Sequence, residues 1–291
     1  MRWLRTIATF GSIVACSSRQ FPLPLPVGGI PDSTYDELVR FTKFSSAVYQ
    51  FICPRPLGST LVESFTSIIT DAHGFVARDD ETREIVVAFR GSRDLEDLLT
   101  DGNVILIPYE SPGVQLNSTE PIEVHAGFLI SFNSIARTAI AVVQEQLESY
   151  PNYTVVATGH SLGGAIASLA SVSLRVHFPS ARIRLFTFGQ PRTGNLGYAD
   201  AVSELLGNAN VYRGCFLLSI SPEYLTDVHP LYSRSHLDGV PTILPESWGY
   251  RHHATEYWQY MEPPEPSTVR RCSGQEDPSC SDSIGQHSSP V

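Results

Sequence analysis

Thr154-Val155-Val156-Ala157-Thr158 runs directly into Gly159-His160-Ser161-Leu162-Gly163-Gly164, with small Ala165, Ala167 and Ala170 just beyond. The first five residues suit a buried strand, and the stretch from about Gly164 to His177 reads as a helix. Glycines two before and two after Ser161 leave room where a Cβ would collide with strand or helix, so the serine can sit on a very tight turn. That turn lifts the Ser161 hydroxyl out of a sheet. It also aims the Leu162 N–H, at the positive end of the new helix, toward a developing oxyanion. A serine in a glycine-rich turn means little alone; between a strand and a helix it reads as a nucleophile.

Working outward, Glu84-Ile85-Val86-Val87-Ala88-Phe89-Arg90 and Ile183-Arg184-Leu185-Phe186-Thr187-Phe188 read as further buried strands. Ser33 to Gln50 reads as a helix with Ser33 as its cap. Phe128, Phe132, Ile135, Ala139, Val142, Leu147 and Tyr150 recur at three- and four-residue steps, the mark of a long amphipathic helix stopped by Pro151-Asn152. Strands alternating with helices predict an α/β domain whose mixed, mostly parallel sheet is covered on both faces.

The 291 residues fit one such domain, and 42% apolar residues supply its core. The formal net charge of −10 leaves no basic surplus for nucleic acid and disfavours docking to anionic membranes, though not adsorption to neutral lipid surfaces. Residues 1–18, with a basic start, a weakly apolar Thr6–Cys16 and small Ala15-Cys16-Ser17-Ser18, read as an export signal, the other reading being a frayed helix. No other stretch reads as a membrane span. Residues 19–32, with Phe21-Pro22-Leu23-Pro24-Leu25-Pro26, read as a pro-segment or linker. Asn117-Ser118-Thr119 and Asn152-Tyr153-Thr154 are glycosylation triplets that fit a secreted chain. Cys272 and Cys280 bracket a polar loop and read as a local disulfide; no cysteine has metal-ligand spacing, so zinc is not expected.

In order along the chain come Val87-Ala88-Phe89-Arg90-Gly91-Ser92, Val124-His125-Ala126-Gly127-Phe128-Leu129, Thr158 to Gly164, and Thr187-Phe188-Gly189-Gln190-Pro191-Arg192-Thr193-Gly194-Asn195. Leu237-Asp238-Gly239-Val240-Pro241, Tyr250-Arg251-His252 and Glu256-Tyr257-Trp258 follow. With these segments the chain resembles the class 3 lipase family of filamentous fungi, which spans triacylglycerol lipases, mono- and diacylglycerol lipases and related feruloyl esterases. The resemblance covers about Ser33 to Ser283 and implies an α/β-hydrolase domain over residues 33–284. It implies Ser161 as nucleophile, Ser92 and Leu162 as oxyanion donors, and Asp238 as the carboxylate that orients a histidine. It also implies a lid at Asp94–Asp101, with Leu95, Leu98 and Leu99 on one face, though an ordinary surface helix would carry the same pattern.

Two departures stand out. Relatives pass almost directly from a V-Y-R strand to the acid. Here residues 214–235 intervene, either a genuine loop or translated non-coding sequence. The family's histidine lies in a D-H segment with aromatic residues after it, whereas this chain ends Gly285-Gln286-His287-Ser288-Ser289-Pro290-Val291. His287 is the histidine in the right region, but it comes soon after Cys280 and lacks the aspartate and the aromatics. The tail 285–291 therefore reads as divergent or truncated, and the family's long disulfide from near Cys53 lacks its partner.

The expectation is a secreted, extracellular, monomeric serine esterase acting on acylglycerols without metal or cofactor. Its substrate is a lipid or other ester, at a lipid–water interface if lipid. The alternatives are a feruloyl-type esterase, or a hydrolase fold impaired in catalysis or misread at its C-terminus. An acyltransferase or peptidase has no supporting feature.

Overall fold

A computed structural model describes residues 29–50, 53–91, 104–215 and 240–285. The chain order is α1 (Asp32–Ala47), β1 (Thr60–Thr66), β2 (His73–Asp79), β3 (Glu84–Phe89), β4 (Leu106–Pro108), β5 (Glu123–His125) and α2 (Ala126–Ser149). Then come β6 (Thr154–His160), α3 (Leu162–His177), β7 (Ile183–Phe188), β8 (Gly194–Asn195), α4 (Leu196–Leu206) and β9 (Val211–Cys215). β10 (Tyr250–Arg251), β11 (Glu256–Gln259), β12 (Val269–Arg271) and α5 (Asp282–Gly285) complete it.

β3 is buried at every residue because both faces of its sheet are covered. Ile85, Val87 and Phe89 face one core with Phe128, Phe132 and Ile166. Val86 and Ala88 face another with Leu38, Phe41 and Phe44 of α1. Each such side chain contributes about 1.5–3 kcal/mol by leaving water. The main sheet runs β1-β2-β3-β6-β7-β9-β11-β12. From β3 through β11 its neighbours are parallel, and antiparallel pairs close both ends, as the sequence predicts. A second, antiparallel sheet runs β10-β8-β5-β4.

α3 lies so deep that Leu162 through Leu174 are all buried, which its glycines, alanines and serines allow. α2 is long and apolar enough by length and composition to cross a membrane, yet half of that stretch is buried, and it packs on α3 and the sheet as a core helix. α1 begins at Asp32 behind Pro31, with no side-chain cap. Ser33 is thus inside the first turn and not the cap, because Pro31 already sets the entry and its carbonyl accepts the Thr34 and Tyr35 N–H groups. β9 takes in Gly214 and Cys215, which pair with β11, so what lies outside the described residues there is 216–239. A disulfide joins Cys272 to Cys280.

Candidate active site

One register row crosses the sheet: Phe65, Gly74, Phe89, Gly159, Thr187, Arg213 and Glu256 are successive partners. Beyond it lies the carboxyl edge of the parallel strands, where ligands of open α/β sheets bind. The residues after β3, β6 and β7 all leave the sheet there.

At the end of β6, Ser161 has φ 57° and ψ −127°, a conformation uncommon for any residue with a side chain. Its N–H donates to the Phe188 carbonyl at 2.9 Å, and its own carbonyl accepts the Gly164 N–H at 2.9 Å. The glycines are there for contact: a Cβ on Gly159 would strike the Gly163 carbonyl, and one on Gly163 would strike the Phe89 carbonyl. Leu162 opens the 16-residue α3, where the first N–H groups lack intrahelical partners. Ser161 therefore lies in the turn from β6 into α3, and Leu162 is the first residue of that helix.

Gly91 belongs to the same assembly. A Cβ built on it would lie 3.3 Å from that of Ser161, so the chain passes Ser161 just before Ser92. The Gly91 N–H donates to Tyr49 Oη at 3.0 Å, and that hydroxyl lies 3.3 Å from His160 Nδ1. Burial holds His160 down to about 4, so its ring is neutral and can accept from Tyr49. One hydroxyl of α1's trailing turn thus ties the end of β3 to the elbow. Nothing in the sequence marked Tyr49, because its partners are 42 and 111 residues away.

Ser92, Asp238, His287 and the lid segment Asp94–Asp101 lie outside the described residues. The described histidines have other engagements. His125 Nδ1 accepts the Phe128 N–H at 3.3 Å, capping α2, and burial pushes its pKa to about 4. His252 Nε2 lies 3.0 Å from the Pro241 carbonyl, to which it donates; burial, then Arg213 and Arg192, hold it neutral. His253 Nε2 sits 3.0 Å from Gln190 Nε2 and 3.2 Å from Ser168 Oγ, its pKa pushed to about 3 by burial and Arg213. His73 and His177 bond Thr66 and the Ser173 carbonyl.

Arg192, just past β7, is a second organiser that its motif did not reveal. Nε and Nη2 reach both oxygens of Glu276 at 2.9 Å, Nη2 also meets Asp282 at 2.8 Å, and Nη1 donates to the Leu244 carbonyl at 3.1 Å. Glu276 also accepts the His252 N–H at 2.6 Å. One buried guanidinium therefore joins the loop after β7, the chain leaving 216–239, and the segment leading into the tail. Glu246, Glu276 and Asp282 converge closely enough to suggest a cation site, but Arg192 already pairs with Glu276 and Asp282, and Arg251 with Glu246. Burial and the Glu276 charge push Asp282 up to about 6 although Arg192 opposes them, while Arg192 holds Glu276 below its usual range against the cost of burial.

The family described as Lipase (class 3) matches residues 86–217. The secreted alkaline triacylglycerol lipase of Penicillium cyclopium is 31% identical over 256 residues, covering 88% of this chain and 81% of its own. A lipase of Rhizopus oryzae is 30% identical over 279 residues, covering 94% of this chain and 62% of its own. Among solved structures, the lipase of Rhizopus microsporus var. chinensis superposes with TM-score 0.71 at 29% identity, over 91% of this chain and 88% of that one. The triacylglyceride lipase of Rhizomucor miehei gives 0.72 at 27% identity, over 90% and 93%.

Proposed function

This chain belongs to the fungal class 3 lipase family, with the α/β-hydrolase fold of a carboxylic-ester hydrolase, and on that premise we propose that it cleaves acylglycerol esters through an acyl-enzyme on Ser161. The observation that carries the mechanism is the Ser161 elbow, held at positive φ on the carboxyl edge with Leu162 opening a buried helix beside it. Ser161 Oγ attacks the ester carbonyl carbon and its proton passes to His287, oriented by Asp238. The oxyanion takes hydrogen bonds from the N–H groups of Leu162 and Ser92; Gly91, packed against Ser161, supports Ser92 for that role. The leaving alcohol takes the proton from the histidine, and water then releases the acid by the same route. Removal of residues 1–18 on export fits the secreted relative. Acylglycerols rank before hydroxycinnamate esters as substrates, since the relatives named above are lipases.

A second reading is a fold with impaired catalysis. It is favoured by one observation: the described histidines are engaged elsewhere, and of His229, His236 and His287, which lie outside the described residues, His287 alone falls in the region the family resemblance assigns to the base, in a divergent setting. Hydrolysis of a soluble p-nitrophenyl butyrate by the full chain decides between them. The acyl-enzyme reading expects Ser161→Ala and His287→Ala each to lose on the order of 10⁴-fold or more in kcat. A folded parent no faster than Ser161→Ala would leave only the impaired reading.

A further inference from the structure

Turns between strands favour Gly, Pro, Asn, Asp and Ser, because these residues meet the backbone's demands and stay wet. The turn from β1 to β2 instead carries Ile68 and Ile69, which are 97% and 95% exposed, the two most exposed large apolar residues among the described ones. The turn is well braced. Ser67 N–H donates to the Ala72 carbonyl at 2.8 Å, Thr70 Oγ1 lies 2.7 Å from Ser134 Oγ on α2, and Arg90 Nη2 donates to the Asp71 carbonyl at 2.9 Å. Two isoleucines are thus held out in water on a fixed support.

Their position gives them meaning. Thr66 pairs with His73 and Gly74 with Phe89, so the turn projects past the same edge that carries Ser161. β1 and β6 are three strand spacings apart, about 14 Å. Arg90, which grips the turn, directly precedes Gly91 against the nucleophile. Ile130, 58% exposed, lies one helical turn from Ser134 on the same face of α2, so the helix that braces the turn carries a further exposed apolar side chain. The charge beside the isoleucines, Asp71, is paired with Arg90 at 2.7 Å, and the chain as a whole is acidic. An uncharged apolar tip on an acidic protein suits a neutral lipid surface, not an anionic one.

We propose that the Ile68–Ile69 turn is a fixed anchor that inserts into a neutral lipid–water surface and sets the carboxyl edge, with Ser161, toward it. The orientation rests on the ester-hydrolase reading; the insertion does not. The test uses the full chain carrying Ser161→Ala, so that binding is read without chemistry, and phosphatidylcholine vesicles containing triolein. Adding Ile68→Ser and Ile69→Ser should weaken flotation with the vesicles about tenfold or more, from the apolar surface no longer buried. Ile69→Trp should add emission that shifts to the blue on these vesicles and is quenched by brominated phosphatidylcholine. In the parent background, the ratio of rate on emulsified to soluble ester should fall with the double serine change. Flotation altered less than about twofold, with Trp emission unmoved, would overturn the proposal. So would a double serine variant that changes oligomeric mass but not flotation, which would make the turn a self-association surface.

Discussion

Ser161 is held at φ 57°, and for a residue with a Cβ such a conformation costs on the order of 1–3 kcal/mol that the surroundings must offset. They do so by contact: Gly159 touches the Gly163 backbone, and Gly163 touches the end of β3. Gly163→Ala would force a methyl into the Phe89 carbonyl, and overpacking of this kind costs about 1–3 kcal/mol. Its Tm should fall by several degrees along with activity; an unchanged melt would show that the elbow has slack. Tyr49→Phe keeps the ring but strips the Gly91 N–H and His160 Nδ1 of their shared hydroxyl. We expect kcat to fall about tenfold through a shifted oxyanion donor while KM changes little, a split that steady-state kinetics would reveal. Equal kcat in parent and variant would remove Tyr49 from the site. The elbow was legible in the sequence because its glycines are local and their steric reason is local. Tyr49 was not, since a hydrogen bond across 42 residues leaves no mark in spacing.

Among the elements, β3, β6 and β7 could be read because a strand buried on both faces needs an unbroken apolar run. The two- and three-residue strands β4, β5, β8 and β10 could not; they exist only as partners of one another. Arg192 binds elements that lie 84 and 90 residues away, so its motif announced a position without a purpose. Two carboxylates on one buried guanidinium cannot both be balanced, and Asp282, with its pKa at about 6, carries the surplus. A carboxyl raised in the folded state contributes stability that is complete below its unfolded pKa and is lost as pH rises through the folded value. Asp282→Asn should therefore gain Tm relative to the parent between about pH 4 and pH 6 and hold that gain above it. Melts at matched salt check this; a difference that shrinks with rising pH would mean that the ion pair outweighs burial and the Glu276 charge. Arg192→Ala leaves both acids uncompensated and should cost about 3–5 kcal/mol of stability.

At the scale of the whole molecule, the parallel strands bring to one edge groups that sequence scatters: the chain before Ser92, the Ser161 elbow, the Arg192 staple and the Ile68–Ile69 turn. The family resemblance gave the fold, and it implies the roles proposed for Ser161, Ser92 and Leu162. The insertion and the tail were the parts it could not supply, because they depart from the family at the places that should carry Asp238 and His287. Chemistry built on serine, histidine and backbone N–H groups needs no metal, so hydrolysis should survive dialysis against EDTA; loss restored by a divalent cation would contradict this. If Ser161 is an activated nucleophile, a phosphonate ester will capture it, because such a reagent phosphonylates only a serine whose base and oxyanion donors work. Intact and peptide mass spectrometry should find one phosphonyl group, on Ser161, in the parent, and none in Ser161→Ala or His287→Ala. A folded parent that stays unlabelled, or is labelled on another residue, would show that Ser161 is not the working nucleophile.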